Sequence, residues 1–273
     1  MSELVQCDEH GEGEQAFVCS HLAEQEAGLG FNRNEPSEED PYPDAWCDEC
    51  ELIREAHDGW NEESETLVTI RLLCSGCYET ARIRNTRTDV TLDDLNGVRW
   101  KCDTCEEWHI GPCLNLGYSA PIYWEDDHEV STGSSPPSIE PLPKWFLNDD
   151  FCIVDGEHFF VRGVIHLPII GTAETFCWGV WGSLSKENFE KLVIACDGSD
   201  QVELPPMFSW LSNQIEDYED TLNLKMYAHI GELDERPRFE LEPTEHQLSQ
   251  DFYHGITAER VKEIMAKRLR EIG

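Results

Sequence analysis

Two apolar runs, 158-HFFVRGVIHLPII-170 and 174-ETFCWGVWGSL-184, carry the strongest fold signal in this chain. Both are rich in β-branched and aromatic residues and are bounded by Gly and Asp, which is typical of neighbouring β-strands. Similar runs are FCIV at 151–154, TLNLKMYAHI at 221–230 and RPRFELEP at 236–243. Because the connections between these runs are short, antiparallel pairing is expected.

Two amphipathic helices are predicted beside these strands. Ser185 can cap the segment KENFEKLVIAC, and Thr257 can cap AERVKEIMAKRLREI. In both segments the apolar residues repeat at helical spacing, which predicts one face packed on a sheet. The predicted fold class is therefore α+β, with an antiparallel sheet and flanking helices in the C-terminal domain.

The composition changes near residue 85. Residues 1–85 contain only 15 Leu, Ile, Val and Phe, with 21 acidic residues against 5 basic ones. This apolar share, about 18%, is below the ~20% at which a highly charged chain is expected to be disordered. Something other than apolar burial must therefore hold this part folded, and we predict a small Cys/His-rich domain at 1–85. A second domain is predicted at 98–273, beginning with a Cys/His-containing knuckle and carrying an inserted Pro-rich loop, SPPSIEPLP, at 135–143.

The charge excludes several classes of partner. The 273 residues include 56 acidic and 20 basic ones, a formal net charge of -36 at pH 7. Such a surface repels nucleic-acid phosphates and anionic membranes, so neither is expected to bind. No run approaches the ~18 apolar residues of a membrane span. Since MSELVQCDEH lacks the features of an export signal, we expect a cytoplasmic location and reduced thiols.

Four closely spaced Cys/His pairs lie in the first 85 residues. They are Cys7 with His10, Cys19 with His21, Cys47 with Cys50, and Cys74 with Cys77. Two pairs complete the closed tetrahedral shell of a structural zinc site, and thiolate and imidazole favour zinc over magnesium or calcium. Eight ligands therefore predict two zinc ions, and the predicted domain at 1–85 is a zinc-stabilised one.

The pairing of these ligands is less strongly indicated. Sequential pairing joins the first pair with the second and the third with the fourth. A crossed brace instead joins the first with the third and the second with the fourth. We favour sequential pairing, because the 25 residues between the second and third pairs make an interleaved arrangement harder to close.

A third group opens the second half of the chain. In WKCDTCEEWHIGPC, at 100–113, the residues Cys102, Cys105, His109 and Cys113 could meet one ion, so a third zinc is possible. The spacing is irregular, and a knuckle that borrows a distant histidine is the alternative.

Three other features of the second half are interpreted structurally. Cys152, Cys177 and Cys196 lie in apolar patterns and are expected to be buried core thiols. In FCWGVWGSL, Phe176 and Trp178 are expected on one face and Trp181 on the other; core packing is expected, and a recognition surface of exposed aromatics is the alternative. Arg162 would be costly to bury alone, so we expect a carboxylate partner inside the fold.

Most of residues 100–263 resembles a bacterial family known only as a domain of unknown function. The stretches that carry the resemblance are WKCDTCEEWH, GEHFFVRGVIHLPIIGTAETFCWGVWGSLSKENFE, PPMFSWLSNQI, DTLNLKMYAHIGELDERPRFELEPTEHQL and HGITAERV. The Cys-rich segment is similar to one in other bacterial proteins, through FVCSHL, PDAWCDECE and LLCSGCYE. At Cys113, members of the family carry an apolar residue. The resemblance implies the division into domains and implies no reaction.

Two functional classes follow from these patterns. No Gly-x-Ser-x-Gly elbow, phosphate-binding loop or dinucleotide fingerprint is present, and His10-Gly11-Glu12 with Cys47 and Cys50 only faintly matches a zinc deaminase signature. The first class is a non-enzymatic acidic protein that binds a basic protein partner, for example an immunity or antitoxin-type inhibitor. The alternative is a metal-dependent hydrolase with its site at Cys102 and Cys105.

Overall fold

The chain forms two compact units. The computed structural model describes residues 4–24, 27–37, 39–87, 92–97, 99–101, 107–125, 127–130, 135–197, 204–231 and 235–271. The first unit comprises Met1–Asp94 together with Pro168–Thr175 and His254–Val261. The second comprises Leu95–Leu167, Phe176–Tyr253 and Lys262–Gly273.

A small sheet organises the N-terminal part of the chain. Its strands are β1 (Leu4–Cys7), β2 (Gly11–Cys19), β3 (Asn32–Arg33), β4 (Ala45–Trp46) and β5 (Ile70–Cys74). Strand β2 is central, because β1 and β5 pair with it antiparallel and β4 pairs with it parallel. The helices are α1 (Ser20–Ala23), α2 (Asp48–Ala56), α3 (Glu62–Glu65) and α4 (Ser75–Asn85), and a 3₁₀ turn follows at Leu92–Leu95.

The core of this first unit is small and aromatic. Tyr78 is fully buried, its hydroxyl donates a 2.7 Å hydrogen bond to the carbonyl of Pro43, and Phe31 and Tyr42 contact its ring edge-on. The inner face of β2 supplies aliphatic side chains, including Val18. Several metal-ligand candidates belong to the same packed cluster, so the interior is built partly from thiols.

The second part of the chain is mainly β-structure. Its strands are β6 (Arg99–Lys101), β7 (Trp108–Ile110), β8 (Asn115–Gly117), β9 (Phe146–Leu147), β10 (Phe151–Val154), β11 (His158–Pro168), β12 (Thr175–Leu184), β13 (Met207–Leu211), β14 (Lys225–His229) and β15 (Arg238–Leu241). Its helices are α5 (Lys186–Asp197), α6 (Gln247–His254) and α7 (Ala258–Glu271). Strands β6 and β7 form a separate two-stranded sheet.

The large sheet closes on itself, which corrects the expected simple antiparallel sheet. Strands β12, β13, β14, β15 and β11 follow one another by hydrogen bonding, and β11 pairs again with β12, which makes a closed barrel of five strands. The ring closes through a parallel pair, because β15 runs parallel to β11, and β8 adds to β12 in parallel as well. Short connections favoured antiparallel pairs locally, whereas the closing pair joins strands that are distant in sequence.

Buried and exposed side chains alternate along the barrel strands, so one face of each strand lies inside the barrel and the other outside it. In β13 and β14 every second residue is buried, and Met207, Leu211 and Met226 point inward. Phe176 and Trp178 are fully buried, as expected for core packing. Trp181 is also buried, in a second cluster with Cys152 and Phe160.

Most predicted elements of the second half are confirmed. The five strand-like runs each contain a strand, and the hydroxyls of Ser185 and Thr257 accept hydrogen bonds from the first turns of α5 and α7. Strand β13 and helix α6 were not predicted. The described residues of the Pro-rich loop form neither helix nor strand. No helix in the described part of the chain is both long and apolar enough to cross a membrane.

Candidate metal centre

The first group of ligands lies at the turn of the β1–β2 hairpin. We name it the hairpin cluster, and it consists of Cys7, His10, Cys74 and Cys77. Cys7 ends β1, and His10 follows in the turn before β2. Cys74 is the last residue of β5 and the N-cap of α4, and Cys77 lies in the first turn of that helix.

The second group lies at the other end of β2. We name it the core cluster, and it consists of Cys19, His21, Cys47 and Cys50. Cys19 ends β2 and is the N-cap of α1, which contains His21. Cys47 follows β4 and is the N-cap of α2, which contains Cys50. The parallel pairing of β2 with β4 brings these two segments side by side.

The distances within both groups match a tetrahedral shell. With Zn–S bonds of about 2.3 Å and Zn–N bonds of about 2.0–2.1 Å, tetrahedral ligands lie about 3.5–3.8 Å apart. In the hairpin cluster the Sγ atoms of Cys7 and Cys77 are 3.7 Å apart, and Nδ1 of His10 lies 3.4 Å from Cys77 Sγ. In the core cluster Nδ1 of His21 lies 3.3 and 3.4 Å from its two nearest thiols. Each group therefore presents three sulfurs and one imidazole nitrogen to a common centre.

Backbone N–H groups further favour thiolates at these positions. The N–H of Cys77 donates to Cys74 Sγ at 3.4 Å, and the N–H of Cys47 donates to Cys19 Sγ at 3.3 Å. In both clusters the second ligand of the Cys-x-x-Cys pair lies in the first turn of a helix, where the dipole also favours negative charge. Donors that hold the ligand atoms in this way are typical of metal sites.

The thiol pKa values differ according to exposure. Backbone hydrogen bonds from His10 and Glu9 lower the pKa of Cys7 to about 6. Burial raises the pKa of Cys19 and, more strongly, those of Cys50 and Cys77. These three thiols are therefore neutral at pH 7 until a cation displaces their protons, which couples metal binding to proton release.

Burial distinguishes the two clusters. Cys19 and Cys50 are completely buried and Cys47 is 2% exposed, and all three belong to the hydrophobic core of the first unit. In the hairpin cluster only Cys74 is buried, whereas His10 is exposed. One centre is thus part of the interior and the other lies at the surface.

The eight ligands come together, but not in either of the pairings expected from the sequence. The structure joins the first pair with the fourth and the second with the third, so sequential pairing and the crossed brace are both wrong. Strand β2 is the reason: its eight residue steps place Gly11 and Cys19 about 26 Å apart, so the first two pairs lie at opposite ends of one strand. Strand β5 runs antiparallel to β2, so that Ile70 lies opposite Cys19 and Cys74 lies opposite Gln15. Cys74 therefore lies toward the hairpin end of β2.

The third predicted group stays a prediction, because Cys102 and Cys105 lie outside the described residues. His109 lies in β7 with its ring stacked on Trp100, at 4.7 Å between ring centroids. Cys113 is buried, and its Sγ lies 3.4 Å from the carbonyl oxygen of Asn115.

The structure also tests the expected burial of three cysteines and the faint deaminase pattern. Cys152 is fully buried as expected, whereas Cys177 and Cys196 are only partly buried. The deaminase pattern does not assemble, because His10 belongs to one cluster and Cys47 and Cys50 to the other.

Sequence reasoning did not single out a further group in the second part of the chain. Glu125, Asp127 and His128 bring carboxylate and imidazole atoms together, with Nε2 of His128 3.5 Å from the Asp127 carboxylate. The His128 ring is stacked on Trp145 at 3.7 Å between centroids. The signal in the sequence was the run WEDDH, which is not distinctive in so acidic a chain.

Fold and site together define the class: a two-unit protein with two Cys₃His clusters of metal-binding geometry and a closed, mainly antiparallel sheet. Residues 101–256, more than half of the chain, match the family model described as "Uncharacterized protein conserved in bacteria (DUF2199)", and the chain belongs to that family. No curated protein matches the chain, and no solved structure matches it either.

Proposed function

We propose that this chain is a zinc-stabilised acidic protein that binds a basic protein partner, and that its two zinc ions are structural. The observation that carries the zinc assignment is the completeness of both donor sets, each with three thiols and one imidazole within 4.8 Å of one another. A catalytic zinc keeps an open position for water, whereas four protein ligands close the shell. Soft donors of this kind favour zinc over oxygen-seeking cations.

Structural zinc also supplies stability that the small apolar core of the first unit does not provide. That core includes three of the ligand thiols. Binding of structural zinc contributes about 10–16 kcal/mol of apparent free energy in zinc-finger peptides near neutral pH. That is comparable to the whole stability of an ordinary domain, about 5–15 kcal/mol. Coordination therefore substitutes for part of the missing hydrophobic burial.

The binding role is supported by the charge. With a net charge of -36, the chain attracts a basic partner over long range and accelerates its association. The acidic residues are dense beside the core cluster, where 48–65 holds eight of them and a single Arg. An inhibitor of a basic toxin, of the immunity or antitoxin type, is the specific form of the proposal.

The zinc assignment is tested by native mass spectrometry with metal analysis. We expect two zinc ions per chain, and we expect strong chelator to remove them and unfold the N-terminal part. A purified chain that carries no transition metal, and that keeps its circular dichroism spectrum in chelator, would falsify the assignment.

The binding role is tested by affinity capture from a bacterial lysate at about 50 mM salt, followed by titration of the purified captured protein. Because exposed charges are screened at high ionic strength, binding should be lost at about 0.5 M salt. An unrelated acidic protein of similar net charge serves as the control bait. Capture by both baits, or affinity that does not change with salt, would contradict the proposal.

A further inference from the structure

Two sulfur ligands of the hairpin cluster lie at the surface of the first unit. Cys7 and Cys77 are partly exposed, and the contact of Cys77 Sγ with Nδ1 of His10 is open to solvent. In the core cluster, by contrast, Cys19 and Cys50 are completely buried. Because oxidation of a cysteine depends on access to its sulfur, small oxidants can reach the hairpin cluster and are excluded from the core cluster.

The two accessible sulfurs are also close to each other. Sγ of Cys7 lies 3.7 Å from Sγ of Cys77, although the two residues are 70 positions apart in the sequence. A disulfide bond is about 2.05 Å long, so the sulfurs need to approach by only about 1.7 Å. Cys7 is the last residue of β1, beside the hairpin turn, and Cys77 lies in the first turn of α4. A small movement of the hairpin end is enough to join them.

We propose that the hairpin cluster is a site of reversible oxidation by peroxides, at which Cys7 and Cys77 form a disulfide and the zinc ion of that cluster is released. The inference concerns the regulation of this site and rests on the zinc assignment made above. It does not depend on the basic partner.

Hydrogen peroxide is the only co-reactant that this oxidation needs. One thiolate of the pair attacks a peroxide oxygen, and the O–O bond breaks to give a sulfenic acid and hydroxide. The second thiolate attacks the oxidised sulfur, so that the S–S bond forms while the S–O bond breaks and a second hydroxide leaves. The two thiolates lose two electrons to the peroxide, and two protons from solvent convert both hydroxides to water. The ion then lacks two of its four ligands and leaves the site.

The core cluster should hold the first unit together while the hairpin cluster is oxidised. Its ligands pack with Leu22, Trp46 and Tyr78, which keep peroxide away from their sulfurs. A reducing thiol can then reopen the disulfide by exchange, and zinc can rebind. One cluster therefore responds to oxidants, and the other maintains the fold.

The test treats the zinc-loaded full chain with hydrogen peroxide and follows zinc release to a chromophoric chelator, with a sample that receives no peroxide as the blank. Aliquots are denatured, alkylated and digested, and mass spectrometry identifies the oxidised cysteines. We expect zinc release to accompany a Cys7–Cys77 disulfide, at least about tenfold faster than oxidation of Cys19, Cys47 or Cys50. The far-UV circular dichroism spectrum should be retained, and dithiothreitol with added zinc should restore the original zinc content.

A double variant checks which site loses its ion. Cys102→Ser with Cys105→Ser removes the third predicted group, and this variant should release zinc as the unmodified chain does. If it no longer does so, the released ion came from that group and the inference is overturned. Should the variant fail to fold, the map of oxidised cysteines in the unmodified chain decides the question.

The remaining outcomes separate this inference from the proposed function. A disulfide that leaves out Cys7 or Cys77, or oxidation of the core cluster at the same rate, overturns the inference. So does a chain that binds two zinc ions and loses neither to peroxide. A chain that carries no zinc before peroxide is added contradicts the zinc assignment itself.

Discussion

The hairpin cluster and the core cluster have the same chemistry in different surroundings. Each contains three thiols and a histidine that presents Nδ1, and each uses a Cys-x-x-Cys pair at the start of a helix. The core cluster is enclosed by Trp46, Tyr78 and Leu22, whereas His10 of the hairpin cluster faces solvent. Local spacing therefore determines which atoms can bind an ion, and the surroundings determine how much of the fold depends on that ion.

The largest expected difference is in stability. Cys50→Ser removes a ligand from the packed interior, so we expect a loss of about 4 kcal/mol or more in the free energy of unfolding, as is typical when a structural metal is lost. Cys77→Ser, the matched change in the hairpin cluster, should cost clearly less, because few apolar contacts depend on that site. Guanidinium denaturation followed by tryptophan fluorescence measures both variants. Equal losses would show that the two centres support the fold to the same extent.

A smaller effect is expected from crowding the hairpin cluster alone. A Cβ atom at Gly76 would lie 2.6 Å from Cγ of His10, so Gly76→Ala must displace the imidazole. We expect about a tenfold loss of zinc affinity at one site of two, which corresponds to about 1.4 kcal/mol. Zinc release to a chromophoric chelator provides the measurement. Gly97→Ala, which meets no atom within 4 Å, is the control, and similar release from both variants would exclude the displacement of His10.

The smallest effect concerns pH during a brief labelling pulse that follows zinc removal, before the N-terminal part has unfolded. Because the pKa of Cys7 is lowered to about 6, this thiol is mostly thiolate at pH 7 and is protonated as the pH falls through 6. Alkylation at Cys7 should therefore be fast at pH 7 and several-fold slower at pH 5, whereas Cys50, whose pKa burial raises, should react slowly throughout. Peptide mass spectrometry after brief labelling measures the rates. Faster labelling of Cys50 than of Cys7 at pH 7 would contradict the assigned environments.

Local patterns in the sequence predicted much of this structure. The eight ligands of the first 85 residues were identified because Cys-x-x-Cys and similar spacings have a chemical meaning that does not depend on the rest of the fold. Strands β11 and β12 were found from their β-branched and aromatic residues. The caps Ser185 and Thr257 were found because capping is a local interaction.

The errors arose where distant segments meet. Strand β13, MFSWL, was missed because its residue types do not alternate with its burial: Phe208 and Trp210 lie on the exposed face and Ser209 on the buried face. The closure of the sheet was not predicted, since the parallel contact of β11 with β15 joins residues more than 70 positions apart, Val164 and Arg238. A carboxylate partner was expected for Arg162, but no salt bridge joins it to a described residue. The nearby Asp150 instead accepts a hydrogen bond from Arg236, a contact that no spacing rule predicts.

The sequence by itself determined the donor atoms, the acidic surface and most of the secondary structure, because these depend on residue type and on neighbours within a few positions. Only the tertiary structure decided which Cys/His pairs lie together, which cluster is buried and where the sheet closes. The physical reason is the rigidity of strand β2: an extended strand holds its two ends apart, so the ligands at each end meet partners that return from far along the chain.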